Sequence, residues 1–344
     1  MLVLGAGPAG AAAAFFLSHL SEGKLSVLCL ERLDEKYSRY HRMCGETVSA
    51  RAFEDLSPLI PEEVTFRVRR ALEHWPGGID LETPVEGYVL DRPAFLRKVL
   101  ERASRQGCQL ERGSAAEITR KEEGFLVRTR DGRELWSRWL IGADGRSSVV
   151  RRTFFPGGPR LLWAEQFVTT ERTEQDVMHF HYDQRYEGGY RWVFPHPRGS
   201  RVGFTRGSDP RPVALERHVR AIPYGYLLQV SGNACLVGDA AGQVNPITFG
   251  GIRMGMVAAR MAAEALIGGD LQAYARNWAR SPYSSPLYVR AFDALKGMDN
   301  AALHRSVRPF RNGYGPWSGL RAILSGKRER MLYRAFDMAA EWGW

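Results

Sequence analysis

The sequence predicts an α/β fold with a Rossmann-type dinucleotide-binding domain, a second β-sheet domain for substrate, and a helical C-terminal segment. Three observations carry this. The chain opens on an apolar run, a glycine turn and an alanine-rich segment, Met1 to Leu20. Two later apolar runs end in carboxylate and glycine pairs, at Asp144-Gly145 and Gly238-Asp239. Between them, from Arg160 to Gly207, short β runs rich in aromatic residues replace that pattern.

Each element follows from local chemistry. Met1-Leu2-Val3-Leu4 reads as a buried strand, Gly5-Ala6-Gly7-Pro8-Ala9-Gly10 as a turn, and the residues to Leu20 as a helix. After polar residues 21–24, Leu25 to Leu30 form a second strand closed by Glu31. This is the βαβ unit that binds dinucleotides. Gly5 permits the tight turn, and Gly7 lets the backbone approach a pyrophosphate. Gly10 lets helix and sheet pack closely, with the helix N-terminus aimed at phosphate. Glu31 lies 21 residues beyond Gly10, placed to accept hydrogen bonds from a ribose. An acid there favours FAD or NAD over NADP. Four residues before the turn imply a short first strand, or a native start upstream of Met1.

Residues 32–42 are polar and basic and lead to Cys44-Gly45-Glu46. Ser49 to Leu59 reads as a helix, and Thr65 to Trp75 as a strand with Phe66 and Val68 on one face. Asp91 is the expected N-cap of a helix from Ala94 to Gln106, with Pro93 in its first turn. Residues 111–130 read as strand, turn, strand, and Asp131-Gly132 as a hairpin before a strand through Trp139. Ala234 to Val237 is a strand, Gly251 to Ile267 a helix, and Leu271 to Trp344 helical with breaks. The expected division is 1–65, 88–158 and 216–268 for the dinucleotide domain, 66–87 and 159–215 for the substrate sheet, and 269–344 for the C-terminal segment.

Composition narrows the classes. A chain of 344 residues holds two closely joined domains with a substantial core. Its net charge of +10 implies solubility, or attraction to an anionic membrane surface or a phosphate-bearing substrate. No nucleic-acid module is present, so nucleic-acid binding is not expected. Cys29, Cys44, Cys108 and Cys235 form no C-x-x-C pair, which argues against structural metal or a disulfide framework. No apolar stretch reaches membrane-spanning length, and the N-terminal run is not a secretory signal. The expected location is cytoplasmic, including the inner face of the membrane.

Taken together, Gly5 to Gly10, Asp144-Gly145 and Gly238-Asp239 resemble the three fingerprints of the FAD-dependent family that includes para-hydroxybenzoate-type hydroxylases. That resemblance implies FAD. It places Asp239 at the ribityl chain, Arg92 near the cofactor, and the helix opening at Gly250-Gly251-Ile252 toward the flavin. Tyr190-Arg191-Trp192-Val193-Phe194-Pro195 resembles the Tyr-x-Trp-x-Phe-Pro motif of geranylgeranyl reductases, which reduce carbon–carbon double bonds of isoprenoid chains. Strand alternation puts Tyr190, Trp192 and Phe194 on one face, able to line a groove for an apolar chain. Cys44-Gly45 resembles the cysteine–glycine pair these reductases carry near the flavin, and Asn245 to Ile252 resembles their flavin loop. Thr205 stands where the family usually has a glycine, and Phe249 where many relatives have a small residue.

The resemblance implies a full set of site residues. Cys44, Tyr190 and Trp192 are catalytic; Tyr190, Trp192, Phe194 and Phe249 bind substrate. FAD is held by Gly5, Gly7, Pro8, Ala9, Gly10, Glu31, Arg32, Arg42, Cys44, Gly45, Arg92, Asp144, Gly145, Gly238, Asp239, Pro246, Gly250, Gly251 and Ile252. An isolated alkene has no sink for a carbanion, so its reduction pairs hydride from flavin N5 with protonation in a dry, ring-lined site. Cys44, Tyr190 and a water are the candidate proton donors. The substrate is an isoprenoid lipid, quinone or pigment precursor. The electron donor is NADPH or a ferredoxin-like carrier, and basic stretches 305–311 and 327–330 suit an acidic carrier or an anionic membrane. Two enzyme alternatives share the FAD frame. A halogenase needs a lysine near the flavin, yet none lies between Lys36 and Lys98; an aromatic hydroxylase lacks the 190–195 motif. A flavin-binding protein without catalysis is the non-enzymatic alternative.

Overall fold

In a computed structural model, which describes residues 1–32, 44–205, 209–225 and 228–344, the opening apolar run is β1 (Leu2–Leu4), buried on both faces. It sits at the centre of a sheet with β2 (Leu28–Glu31) on one side and β10 (Leu140–Gly142) on the other, all parallel. The sheet extends through β6 (Gln109–Arg112) at one edge and β17 (Ala234–Leu236) and β16 (Val230–Ser231) at the other. Parallel strands covered on both faces need continuous apolar runs, which these short segments supply. Helix α1 (Pro8–Leu20) crosses this sheet against α3 (Arg92–Arg105) and α5 (Ile252–Ile267). Its alanines let α5 come close: a β-carbon on Gly255 would sit 3.3 Å from Ala9 Cβ. The opposite face carries a three-stranded sheet, β7 (Ala115–Lys121), β8 (Gly124–Thr129) and β9 (Glu134–Ser137), with α4 (Val149–Phe154).

The second sheet has eight strands. Its order is β15 (Glu216–Tyr224), β11 (Arg160–Thr169), β14 (Gly199–Thr205), β13 (Arg191–His196), β12 (Val177–His181), β4 (Val64–Trp75), β5 (Ile79–Leu90) and β3 (Thr47–Ser49). All neighbours are antiparallel except β12 and β4. Two expectations change here. Ser49 to Leu59 is not one helix: β3 ends it on the sheet, α2 (Ala52–Asp55) is a single turn, and Pro58 and Pro61 prevent extension. The sheet also continues past residue 215, because β15 pairs with β11 from Glu216 to Tyr224.

One irregularity in β4 controls which side chains face inward. The N–H groups of Arg69 and Arg70 both donate to the Asp176 carbonyl, at 2.8 and 3.1 Å, and the β4–β5 register shifts between Val68 and Arg70. This is a β-bulge. Before it the even residues, Phe66 and Val68, face the interior; after it the odd ones, Ala71, Glu73 and Trp75, do. The C-terminal helices α6 (Leu271–Arg280), α7 (Pro286–Lys296), α8 (Asn300–Val307), α9 (Pro316–Ile323) and α10 (Lys327–Trp342) follow. Of these, α7, α8 and α10 share a core with Trp75, Tyr224 and Ile247 at the end of the eight-stranded sheet.

Candidate active site

The carboxyl ends of β1, β2, β10 and β17 open on one edge of the parallel sheet, beside the inner face of the eight-stranded sheet. A single cavity of about 1700 Å³ occupies this junction. It exceeds the roughly 300–1,000 Å³ of an ordinary ligand pocket, leaving room for a cofactor and a second molecule.

At the dinucleotide end, Gly5 takes φ +95°, and a β-carbon there would lie 2.5 Å from the Ala143 carbonyl. A β-carbon on Gly10 would overlap the Gly5 carbonyl, so Gly10 serves packing and does not line the cavity. Gly7, Pro8 and Ala9 at the start of α1 do line it, with Glu31 and Arg32 at the tip of β2. The Glu31 carboxylate accepts the Ala6 N–H at 2.6 Å, which fixes it at the rim of the glycine turn. Asp144 Oδ2 accepts the N–H groups of Val149 and Val150 at 2.6 and 3.4 Å, holding the start of α4. Its Oδ1 is buried without a partner among the described residues, and burial raises its pKa above the usual carboxylate range. Gly145 adjoins it with φ +71°.

On the other side, Gly238 donates its N–H to Gln243 Oε1 at 2.7 Å, and Gln243 Nε2 donates to the Tyr274 hydroxyl at 2.8 Å. Asp239 follows in the cavity wall; burial raises its carboxyl pKa, opposed by Arg220, Arg92 and Arg146. Arg92, 9% exposed, is placed by the Asp91 cap, whose Oδ1 accepts the Ala94 N–H at 3.1 Å. Gly250, Gly251 and Ile252 line the wall, whereas Pro246 is buried behind it. Arg42 lies outside the described residues. The glycine cradle, the unpartnered Asp144 oxygen and the convergent Asp239 and Arg92 are a donor and acceptor set that fits FAD.

The aromatic end is built on β13. Trp192 lies flat over Gly203 of β14, where any β-carbon would overlap the indole. Phe194 lies over Gly45, 2.8 Å from where a β-carbon would stand. Tyr190 stacks on Phe249, with ring centroids 4.7 Å apart at 21°, and its hydroxyl donates to the Thr248 carbonyl at 2.5 Å. Burial, with Cys44 nearby, raises the Tyr190 phenol pKa well above normal. Thr205 is fully buried and fills the space above Gly189, so its bulk displaces no cavity wall. Cys44 lines the cavity beside Gly45. Behind them Glu46 and Arg201, both almost completely buried, form an ion pair, and Arg201 Nη1 also donates to the Gly45 carbonyl at 3.3 Å.

The loop of residues 245–251 is held from two directions. Asn245 Oδ1 accepts the Ile247 N–H at 2.8 Å, and Phe249, at φ +55°, returns its N–H to the Asn245 carbonyl. Thr248 Oγ1 donates to the Gly343 carbonyl at 2.5 Å, so the end of α10 braces the loop. Sequence reasoning missed this brace. It also missed Glu73, Trp75, Phe180 and Tyr182, which extend the aromatic wall toward α10. Alternation would have found Phe180 and Tyr182 as the continuation of Met178 along β12, but Glu73 and Trp75 only with knowledge of the bulge in β4. Among the described residues no histidine, cysteine and carboxylate group has metal-binding geometry, and no helix is long and apolar enough to cross a membrane.

Comparison with known proteins agrees with this geometry. An FAD binding domain family matches residues 1–157. Digeranylgeranylglycerophospholipid reductase 1 of Methanopyrus kandleri is 32% identical over 308 residues, covering 78% of this chain and 80% of that protein. Digeranylgeranylglycerophospholipid reductase 2 of the same organism is 32% identical over 307 residues, covering 77% and 76%. In fold, the chain is similar to a geranylgeranyl bacteriochlorophyll reductase-like protein of Thermoplasma acidophilum, at TM-score 0.81 and 20% identity over 98% of both chains. A triple mutant of the flavin-dependent brominase Bmp2 shares the fold at TM-score 0.70 and 16% identity, over 99% of both chains.

Proposed function

The chain belongs to the geranylgeranyl reductase family of FAD-dependent oxidoreductases, and on that premise we propose that it saturates carbon–carbon double bonds of an isoprenoid chain. The observation that carries this is the single cavity, which joins the dinucleotide cradle to a wall of stacked rings. FAD, when bound, supplies the hydride from its N5.

This chain's residues do the rest. Gly5, Gly7 and the N-terminus of α1 would hold the pyrophosphate of FAD, Glu31 its ribose and Asp239 its ribityl hydroxyls. Gly250, Gly251 and Ile252, which line the cavity where α5 begins, would stand beside the flavin ring, with the Gly250 N–H held by Thr248 Oγ1 at 3.1 Å. Trp192, Phe194 and Phe249 hold the alkene in a dry pocket and place ring faces against developing positive charge. Tyr190 is a positioning residue: its proton is committed to the Thr248 carbonyl, and its raised pKa makes it a poor acid. Of the remaining donors we assign the proton to Cys44, which lines the cavity beside Gly45, whose carbonyl accepts from Arg201, with a water as the alternative.

The substrate is a lipid, and α9 supports peripheral contact with an anionic membrane face. Trp317, Ile323 and Leu324 are 75%, 67% and 77% exposed beside Arg321, Lys327 and Arg328. The deciding experiment is anaerobic. Protein reduced with dithionite is mixed with geranylgeraniol or a prenyl lipid, following flavin absorbance and product mass. Reoxidation without oxygen, with product two hydrogens heavier, is expected. A flavin that reoxidises only on admitting oxygen would return the choice to a hydroxylase or halogenase.

A further inference from the structure

Glu73 is a carboxylic acid in the ring-lined part of the cavity wall, and no step above uses it. The bulge at Arg69–Arg70 turns it inward. It occupies one transverse row of the sheet, paired with Leu81 on β5 and Phe180 on β12, and Phe180 pairs in turn with Trp192 on β13. At about 4.8 Å per strand, it stands roughly 10 Å from Trp192 along that row. One oxygen accepts the Trp75 Nε1–H at 3.1 Å; the other has no hydrogen-bond partner among the described residues. Two hydroxyl side chains line the same cavity: Thr83, two residues from Leu81 on the same face of β5, and Tyr314, within electrostatic reach of this carboxyl. All three residues line the cavity. From this patch the rings run without a gap to the flavin loop. Trp75 stacks on Tyr182 at 3.9 Å, Tyr182 meets Tyr190 at 5.7 Å, and Tyr190 stacks on Phe249 at 4.7 Å.

We propose that Glu73, with Thr83 and Tyr314, forms a subsite for an uncharged hydroxyl group at one end of the isoprenoid substrate. This deepens the reductase reading and rests on it. The chemistry selects the ligand. A carboxyl group beside two hydroxyls accepts a hydrogen bond from an alcohol. It repels a phosphate or diphosphate, and a bare hydrocarbon end leaves it unsatisfied inside an apolar cavity, which is costly. With the hydroxyl seated there, the chain lies along Tyr182 and Tyr190 and presents an internal double bond at Trp192 and Phe249. Glu73 thus sets the direction in which the chain lies and which double bond reaches the flavin loop.

The test is equilibrium binding to the oxidised, FAD-loaded protein, read by quenching of tryptophan fluorescence, with three probes: geranylgeraniol, its methyl ether and geranylgeranyl diphosphate. The wild type should bind the alcohol about tenfold more tightly than the ether, the size expected for one hydrogen bond to a charged or polar buried acceptor. Glu73→Leu should abolish that preference, leaving affinity for the ether and the FAD content unchanged. Equal wild-type affinity for alcohol and ether, or tighter binding of the diphosphate, would overturn the proposal, and this comparison needs no variant to fold. Loss of affinity for all probes alike in Glu73→Leu would also overturn it. Because no turnover is involved, an inactive reductase with an alcohol-selective cavity and an active one without selectivity give different results.

Discussion

Two glycines seat rings of the cavity wall by having no side chain. Gly203 lies beneath the Trp192 indole and Gly45 against Phe194. Gly203→Ala should displace Trp192 and cost about 1–3 kcal/mol in stability, as overpacking does. Alkene-dependent flavin reoxidation should fall more than FAD content, measured on the same preparation. Glu73 has a separate signature. Burial raises its pKa from 4.5 to about 7, against the lowering effect of the Trp75 N–H. The folded state then holds a proton that the unfolded state has released. Stability is fully present below pH 4.5 and declines as pH rises through 7, by about 3 kcal/mol in all. Glu73→Gln removes this titration, so its unfolding midpoint should gain on the wild type at pH 8 and not at pH 4. His181 works in the opposite sense: burial and His74 lower it to about 4, so stability falls with pH from 6.5 to 4. Of these residues, Trp192 was legible in the sequence because ring alternation is local. Glu73 was not, because the bulge that turns it inward depends on the Asp176 carbonyl of another segment.

At the scale of elements, the βαβ unit was readable because its turn, helix and distal acid each follow from neighbours in the chain. The loop over the flavin position was readable only in part. Its Asn245 and Phe249 contacts are local, but Thr248 leans on Gly343, which lies 95 residues further on. Removing Gly343 and Trp344 should leave a folded protein with weaker FAD retention, measurable as flavin lost on gel filtration. Full retention would mean that the loop stands unaided. The α9 surface makes its own prediction. Replacing Trp317 and Leu324 by serine should reduce co-sedimentation with anionic vesicles several-fold while leaving the reduction of a short, detergent-dispersed prenyl alcohol intact. Unchanged sedimentation would remove the membrane from the reading.

For the whole molecule, two sheets meet around one continuous cavity, with the dinucleotide cradle at one end and the aromatic wall at the other. The family and the FAD frame were legible because three fingerprints recur in the right order along the chain. The meeting of the sheets was not, since it is set by pairings such as β15 with β11 and by C-terminal helices that carry no motif of their own. The shared volume predicts mutual exclusion of bulk: Phe249→Ala should enlarge the substrate side and broaden the range of accepted chains, at a cost of about 3–5 kcal/mol in stability at most, since Phe249 is only partly buried. Competition assays with chains of different length would read this.

The bracing of residue 248 by residue 343 also orders events in time. A chain leaving the ribosome makes its glycine turn early, but β10, which pairs with β1 beside that turn, and β17, the next strand out, follow only near residues 142 and 236. The loop cannot be braced until Gly343 has been made. The residues of the glycine turn are therefore made long before the residue that braces the flavin loop, so the nucleotide cradle can form on the chain before that loop is fixed.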